Sequence, residues 1–333
     1  MKHRSIRLCC TLGAVVFCVI GVRENVSAQH PKSTKSLSVE KVNEPAGWNV
    51  MVGDKLFVGY RTNVSGTPVL YPVHGPNAVA MTRNFPMKKG VAGEKPDHDH
   101  HRSMWLTHGD VNGVDFWIDD KGSGRIVQTS GKATVDEKTG NVVIVTNNDW
   151  IGPDDKKLLS DTRRFEFVVQ DDVRLIDCDC LLKASYGDVR FGDTKEGSFG
   201  VRLASTIKVD AKKGGKITND SGQNNKGAWG KKSAWVDYSG PVGDQTVGMT
   251  IHCHPSSFGY TTRWHVRTYG LFAANPFGVH HFEGGEAHRG IVLKEDSKMR
   301  LNYRVVLHSG DFDKDSTAAA SKAYENDPRP ELE

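Results

Sequence analysis

A succession of short β-prone runs, punctuated by glycine turns and followed by one helical segment, limits what this chain can fold into. Residues 55–61 (KLFVGYR), 142–146 (VVIVT), 164–169 (RFEFVV), 172–182 (DVRLIDCDCLL) and 299–307 (MRLNYRVVL) alternate or run apolar, with β-branched enrichment. Turn signals lie between them at Ser65-Gly66, Thr139-Gly140, Gly214-Gly215 and Ser239-Gly240. Residues 134–146 predict a hairpin around Lys138-Thr139-Gly140, and Met104–Leu106 predicts a further strand. A helix is expected only near Thr317–Glu325. With almost no helix to serve as crossovers, the expected fold is all-β: a large antiparallel β-sandwich with a short C-terminal helix.

The expected division is a signal peptide over 1–28, a disordered lead-in over 29–36, one sandwich domain over 37–310 and a tail with the helix over 311–333. Lys2, Arg4 and Arg7 precede an apolar run from Leu8 to Val22, and Val26-Ser27-Ala28 supplies small residues for cleavage. The mature protein is therefore expected to be exported, periplasmic or extracellular, with no membrane span. Of 44 Lys/Arg and 40 Asp/Glu, residues 1–28 carry four and one, leaving 40 and 39. That balance gives no basic field for nucleic acid or anionic lipid. Beyond residue 28 the cysteines are Cys178, Cys180 and Cys253, enough for one internal disulfide or for three small buried hydrophobes.

The chemistry concentrates in Pro96–Trp117, PDHDHHRSMWLTHGDVNGVDFW, where His98, His100, His101 and His108 mix with Asp97, Asp99, Asp110, Asp115 and Arg102. Imidazoles and carboxylates move protons near neutral pH and ligate divalent metals. In an extended segment His98 and His100 share a side, and with Asp97, Asp110 or Asp115 they form a donor set for zinc, iron or manganese. HExxH is absent, and the HxH lacks a glutamate three or four residues on. A divalent metal stays open beside metal-free proton transfer, and no cofactor is assigned. A second cluster, Asn275–His288 (NPFGVHHFEGGEAH), carries His280, His281, Glu283, Glu286 and His288 on a glycine-rich loop.

Trp105, Trp117, Trp229, Trp235 and Trp264 lie beside polar residues, as aromatic faces that stack on sugar rings do. Arg83, Arg202, Arg263 and Arg267 are candidates to clamp a carboxylate or sulfate. A G-x-S-x-G elbow, a P-loop, a G-x-G-x-x-G and an EF-hand pattern are all missing, which weighs against serine hydrolysis, nucleotide use and dinucleotide redox chemistry.

The runs PVLYPVHGPNAVAMTRNFP, DHDHHRSMWLTHGDVNGVDFW, DTKEGSFGVRLA, AWGKKSAWVDYSG and RWHVRTYGLFAANPFG resemble a family of exported bacterial proteins. That family is common in planctomycete-type bacteria and often carries the label "methane oxygenase PmoA". The likeness runs from about Gly47 to Gly310. In the family pattern the first cluster reads DHPHHRGLW, and Asp99 and Ser103 here replace its proline and glycine. The label does not describe a chain whose one long apolar segment is N-terminal, because a membrane monooxygenase subunit spans the bilayer repeatedly. The PVLYPVHGP stretch is also distantly similar to the start of galactose-mutarotase-like supersandwiches, which hold His and carboxylate groups in a cleft on one sheet.

Together these readings predict an exported carbohydrate-active enzyme of lyase, hydrolase or epimerase type, using His/Glu general acid–base catalysis on a sugar or sugar-derived substrate. The expected proton-transfer groups are His100 or His101 and His281 or Glu283. The expected substrate contacts are Arg83, His98, Arg102, Asp115, Trp117, Arg202, Trp264, Arg267 and Asn275. The alternative is a non-catalytic periplasmic sugar-binding protein with the same site.

Overall fold

The computed structural model describes residues 30–333, so the expected signal peptide lies outside the described residues. Strands are numbered along the chain. One eight-stranded antiparallel sheet runs β1 (Leu37–Asn43), β2 (Ala46–Val52), β3 (Lys55–Val64), β4 (Thr67–Val73), β5 (Met104–His108), β11 (Gly197–Arg202), β16 (Leu271–Asn275), β15 (Arg263–Val266). The other runs β12 (Lys216–Asn219), β13 (Trp235–Val242), β14 (Gln245–Cys253), β18 (Lys298–Ser309), β9 (Val173–Lys183), β8 (Lys157–Gln170), β7 (Val142–Ile151), β6 (Arg125–Val135). Two short strands, β10 (Val189–Phe191) and β17 (Ile291–Leu293), pair separately.

The sheets pack face to face through alternating residues, as the period of a strand requires. On β8, Phe165, Phe167 and Val169 point inward; on β9, Ile176, Cys178, Cys180 and Leu182 do so. Phe57 meets Phe167 edge-on at 5.8 Å, and Phe199 stacks on Tyr303 at 5.1 Å, each pair joining opposite sheets. The fold is therefore a large all-β sandwich. The three cysteines are buried free thiols within this core. The hairpin turn at Lys138-Thr139-Gly140 joins β6 to β7, with Val135 opposite Val142.

Helix α1 (Val279–Glu283) is a single turn in the second histidine cluster. Helix α2 (Lys314–Glu325) starts three residues earlier than expected, because the Asp313 carboxylate caps it by accepting the Ser316 N–H at 2.6 Å.

The ends of the described chain correct the expectation of a loose lead-in. Thr34 N–H donates to the Val169 carbonyl, Ser33 N–H donates to the Asn141 side chain, and both His30 ring nitrogens meet carboxylates, Glu166 at 2.8 Å and Asp327 at 3.0 Å. Glu166 on β8, Asn141 just before β7 and Asp327 of the tail supply the side-chain anchors, a signal that composition does not carry. The tail docks on the same face. Arg329 reaches Asp179 at 3.0 Å, Asp177 at 2.9 Å and Asp327 at 3.2 Å. Arg304 grips Asp177 with two bonds of 2.6 and 2.7 Å, and Tyr324 lies buried beneath both guanidinia.

Hydrogen bonds to Asp327 and Glu166 raise the His30 pKa to about 9 against the pull of burial. A raised folded-state value stabilises fully below the unfolded pKa near 6.5 and is lost as pH climbs through about 9. His30→Gln should thus cost about 1–2 kcal/mol at pH 6, after discounting for solvent screening. The gap to wild type should close above pH 9 in thermal melts; a gap independent of pH would contradict the ion-pair origin.

Candidate active site

Strand alternation divides the far half of the first sheet. On β15, Trp264 and Val266 face the core while Arg263 and His265 face outward, and Arg267 follows just past its end. Trp105 on β5 and Leu271 and Ala273 on β16 form a small outer cluster with Val69 and Trp117. Trp105 lies flat across β11 because Gly200 leaves room; a Cβ there would sit 2.7 Å from the indole.

The Asp97–Arg102 loop folds over this platform. His98 stacks on Tyr269 at 5.1 Å and on His101 at 4.8 Å, and His101 stacks on Trp105 at 5.5 Å. One carboxylate oxygen of Asp97 fixes the loop: Arg83 reaches it at 2.6 Å and Arg202 at 2.9 Å, and His98 Nδ1 lies 3.3 Å away. Burial raises the Asp97 pKa, but Arg202 and Arg83 outweigh it and hold the carboxyl below its usual range. Ser103, at the family's glycine position, adopts φ 64° and donates its hydroxyl to Thr82 at 2.7 Å.

The histidines of this loop differ in chemistry. His101 is 1% exposed, and its Nδ1 sits 3.0 Å from Arg202 Nη1, which has only protons to offer. That contact leaves Nε2 carrying the ring proton. Burial, followed by the charges of Arg202 and His100, drives the His101 pKa well below 6.5. His100 is partly open, with its Nδ1 3.5 Å from the exposed Asp99. Burial and His98 lower its pKa, while Asp99 and Glu196 oppose them, so it is neutral at pH 7 and free to accept a proton.

Glu196, just before β11, was not singled out from the sequence, yet its charge raises the proton affinities of His100, His265 and His281 alike. It is paired with Lys195 at 3.1 Å. The two histidine clusters thus border one region. Phe282 of α1 packs edge-on against Trp229 at 5.4 Å, and Arg267 bridges Trp229 and Tyr269 at 5.8 and 5.5 Å. Burial takes the His265 pKa down to about 4 despite Glu196.

Several expected contacts are corrected. Trp264 is 0% exposed on the core side and donates Nε1–H to the Ser233 carbonyl, because the RWHVR alternation turns it inward. Trp117 is also 0% exposed, lying behind Trp105 at 5.0 Å, so it supports the platform and offers no free face. Arg102 is buried and faces Asp119 at 3.5 Å. Asp115 accepts the Trp117 and Ile118 N–H groups, and Asn275 accepts those of Phe277 and Gly278, so both staple turns. Glu283 is clamped by Arg263 at 2.7 Å. His281 is exposed, with a pKa lowered by burial and Lys195. His108 packs in the core against Phe277 at 4.7 Å. Tyr269 and His265, like Glu196, were missed; the alternation of RWHVRTYG carried the signal for His265.

The metal expectation at His98 and His100 finds separate histidine–carboxylate pairs, their rings 5.7 Å apart and turned 72°. Among the described residues, the His and carboxylate atoms that converge within 4.8 Å are those of His30, Glu166 and Asp177 on the second sheet. Arg164 and Arg304 already occupy those carboxylates, so that group does not fit a cation.

Three solved structures share features with this one. They are the GH36 alpha-galactosidase AgaB from Geobacillus stearothermophilus (10% identity, TM-score 0.44), a Glycoside Hydrolase Family 97 enzyme from Pseudoalteromonas sp. strain K8 in complex with panose (8%, 0.32), and the 4-alpha-glucanotransferase from Thermococcus litoralis (8%, 0.30). Each alignment covers 82% of this chain but only 41%, 34% and 39% of those chains, so this chain spans less than half their length. At such TM-scores the likeness carries no argument about fold or activity. No curated protein matches the sequence. Residues 47–322 match the "Family of unknown function (DUF6807)", and the chain belongs to that family.

Proposed function

We propose that this member of the DUF6807 family is an exported carbohydrate-active enzyme whose site is the outer face of the first sheet around His98–His101. The observation that carries the reading is the open or partly open ring surface of His98, His100 and Tyr269, backed by the buried Trp105 and His101 and set beside Arg202 and Asp97. Aromatic faces flanked by fixed charges suit a sugar, which offers C–H faces for stacking and hydroxyls for hydrogen bonds. His100 is the proton acceptor: it is neutral at pH 7 and reachable. His101, held by Arg202, is a positioning residue that keeps the loop in place. Lyase, hydrolase and epimerase chemistry all require such a proton transfer.

Turnover of an oligosaccharide panel tests the reading. The acid limb of kcat/KM should fall below pH 6.5, because His100 is depressed from that value. Glu196→Gln removes a charge that favours protonated His100, so the limb should move lower still. An acid limb above 6.5, or one unmoved by Glu196→Gln, would count against His100 as the base.

The alternative, a binding protein without turnover, draws on the Arg263–Glu283 clamp, which occupies the expected second catalytic group. It predicts affinity for panel sugars with no product formed.

A further inference from the structure

We infer that the pocket walled by Lys226, Trp229, Arg267 and Thr268 is a subsite for an anionic group, so that the ligand is an acidic saccharide bearing a carboxylate or sulfate. The inference rests on the sugar reading above and narrows it.

Elimination among the arginines leads there. Arg83 and Arg202 both spend their charge on Asp97, Arg102 faces Asp119, and Arg263 is clamped by Glu283. Arg267 differs: among the described residues its guanidinium meets no carboxylate and makes no hydrogen bond. It is nonetheless held in place, with Cζ over the Trp229 ring at 5.8 Å and the Tyr269 ring at 5.5 Å. A guanidinium held over two rings and free of carboxylate partners keeps its N–H groups available to grip a carboxylate or sulfate with two parallel bonds.

The surroundings supply the rest of a site. Arg267 and Trp229 line an open cavity of about 230 Å³, smaller than the pockets that enclose a whole ligand and of a size for one substituent of a saccharide. Lys226, exposed on the same wall, adds a second positive charge. The Trp229 Nε1–H is buried and has no partner among the described residues. Tyr269, which Arg267 overlies at 5.5 Å and His98 stacks on at 5.1 Å, joins the cavity wall to the His98–His101 stack.

The test is calorimetric titration of the full mature chain with matched probes. Trisaccharides of galacturonate, glucuronate and mannuronate are each used as free acid and methyl ester, beside one sulfated and unsulfated glycan pair. At least one charged form should bind about tenfold or more tightly than its neutral counterpart at low salt, with the gap shrinking as salt rises. Whether a uronate or the sulfated glycan shows the gap tells carboxylate from sulfate. In Arg267→Ala the charged-to-neutral ratio should fall toward one, and Arg267→Lys should recover part of it. Equal affinities for charged and neutral forms in the wild type would overturn the inference, as would a ratio that Arg267→Ala leaves intact. Binding of neutral forms alone also overturns it and leaves the sugar reading standing. Binding of no probe overturns the sugar reading itself.

Discussion

Arg329→Ala should destabilise the protein by about 3–5 kcal/mol, the cost of removing one partner from a buried ion-pair network. The Arg329 side chain is 2% exposed and joins three carboxylates, Asp177, Asp179 and Asp327. Without it, Asp179 on β9 keeps only Arg164, at 3.6 Å, and Tyr324 loses one of the two guanidinia lying over its ring. Asp177 retains the bidentate Arg304, so the network is weakened and not abolished. Urea titration should show a lower midpoint with an unchanged slope, because the same surface is exposed on unfolding. Arg329→Lys should recover only part of the loss, since an ammonium cannot span three carboxylates as a planar fork does. A loss below about 1 kcal/mol, the level of a surface pair, would mean that the tail does not dock on the second sheet in solution.

The second large effect falls on activity. His100→Ala should lower kcat by about two to four orders of magnitude, the usual contribution of a positioned proton-transfer group. It should leave the melting temperature nearly unchanged, because the His100 side chain is partly open and its nearest carboxylate is the exposed Asp99. His101→Ala should behave differently. It strips Arg202 of an acceptor and opens a gap between His98 and Trp105, so stability and binding should fall together. If instead His101→Ala spared folding while abolishing turnover, and His100→Ala had little effect, the roles of the two would be exchanged.

The sandwich was legible because strand period and turn chemistry are local properties. The runs at 55–61, 142–146, 164–169 and 299–307 fall within β3, β7, β8 and β18, and the run at 172–182 begins one residue before β9. Docking of the lead-in and tail was not legible, since it depends on outward carboxylates of β8 and β9 meeting residues more than a hundred positions away. At the proposed site, clustering along the sequence pointed to the loop on which the proposal rests and blurred the roles within it. Four neighbouring histidines became a partly open neutral ring, a buried acceptor locked by Arg202, a stacking ring and a core residue, according to burial and to what stood beside each. Trp264 was misjudged by composition nearby, where the period-two alternation of RWHVR already turned it into the core. Glu196 carries no motif, and its position between the two clusters arises only when β11 pairs with β5 and β16.

The most direct measurement is a crystal structure of the protein with the tightest-binding trisaccharide of the panel. A sugar ring is expected against Tyr269 or Trp229, with a hydroxyl or ring C–H within about 3.5 Å of a His100 ring nitrogen. A sugar seated elsewhere on the molecule, or one on this face with His100 turned away from every reacting atom, would contradict the assignment.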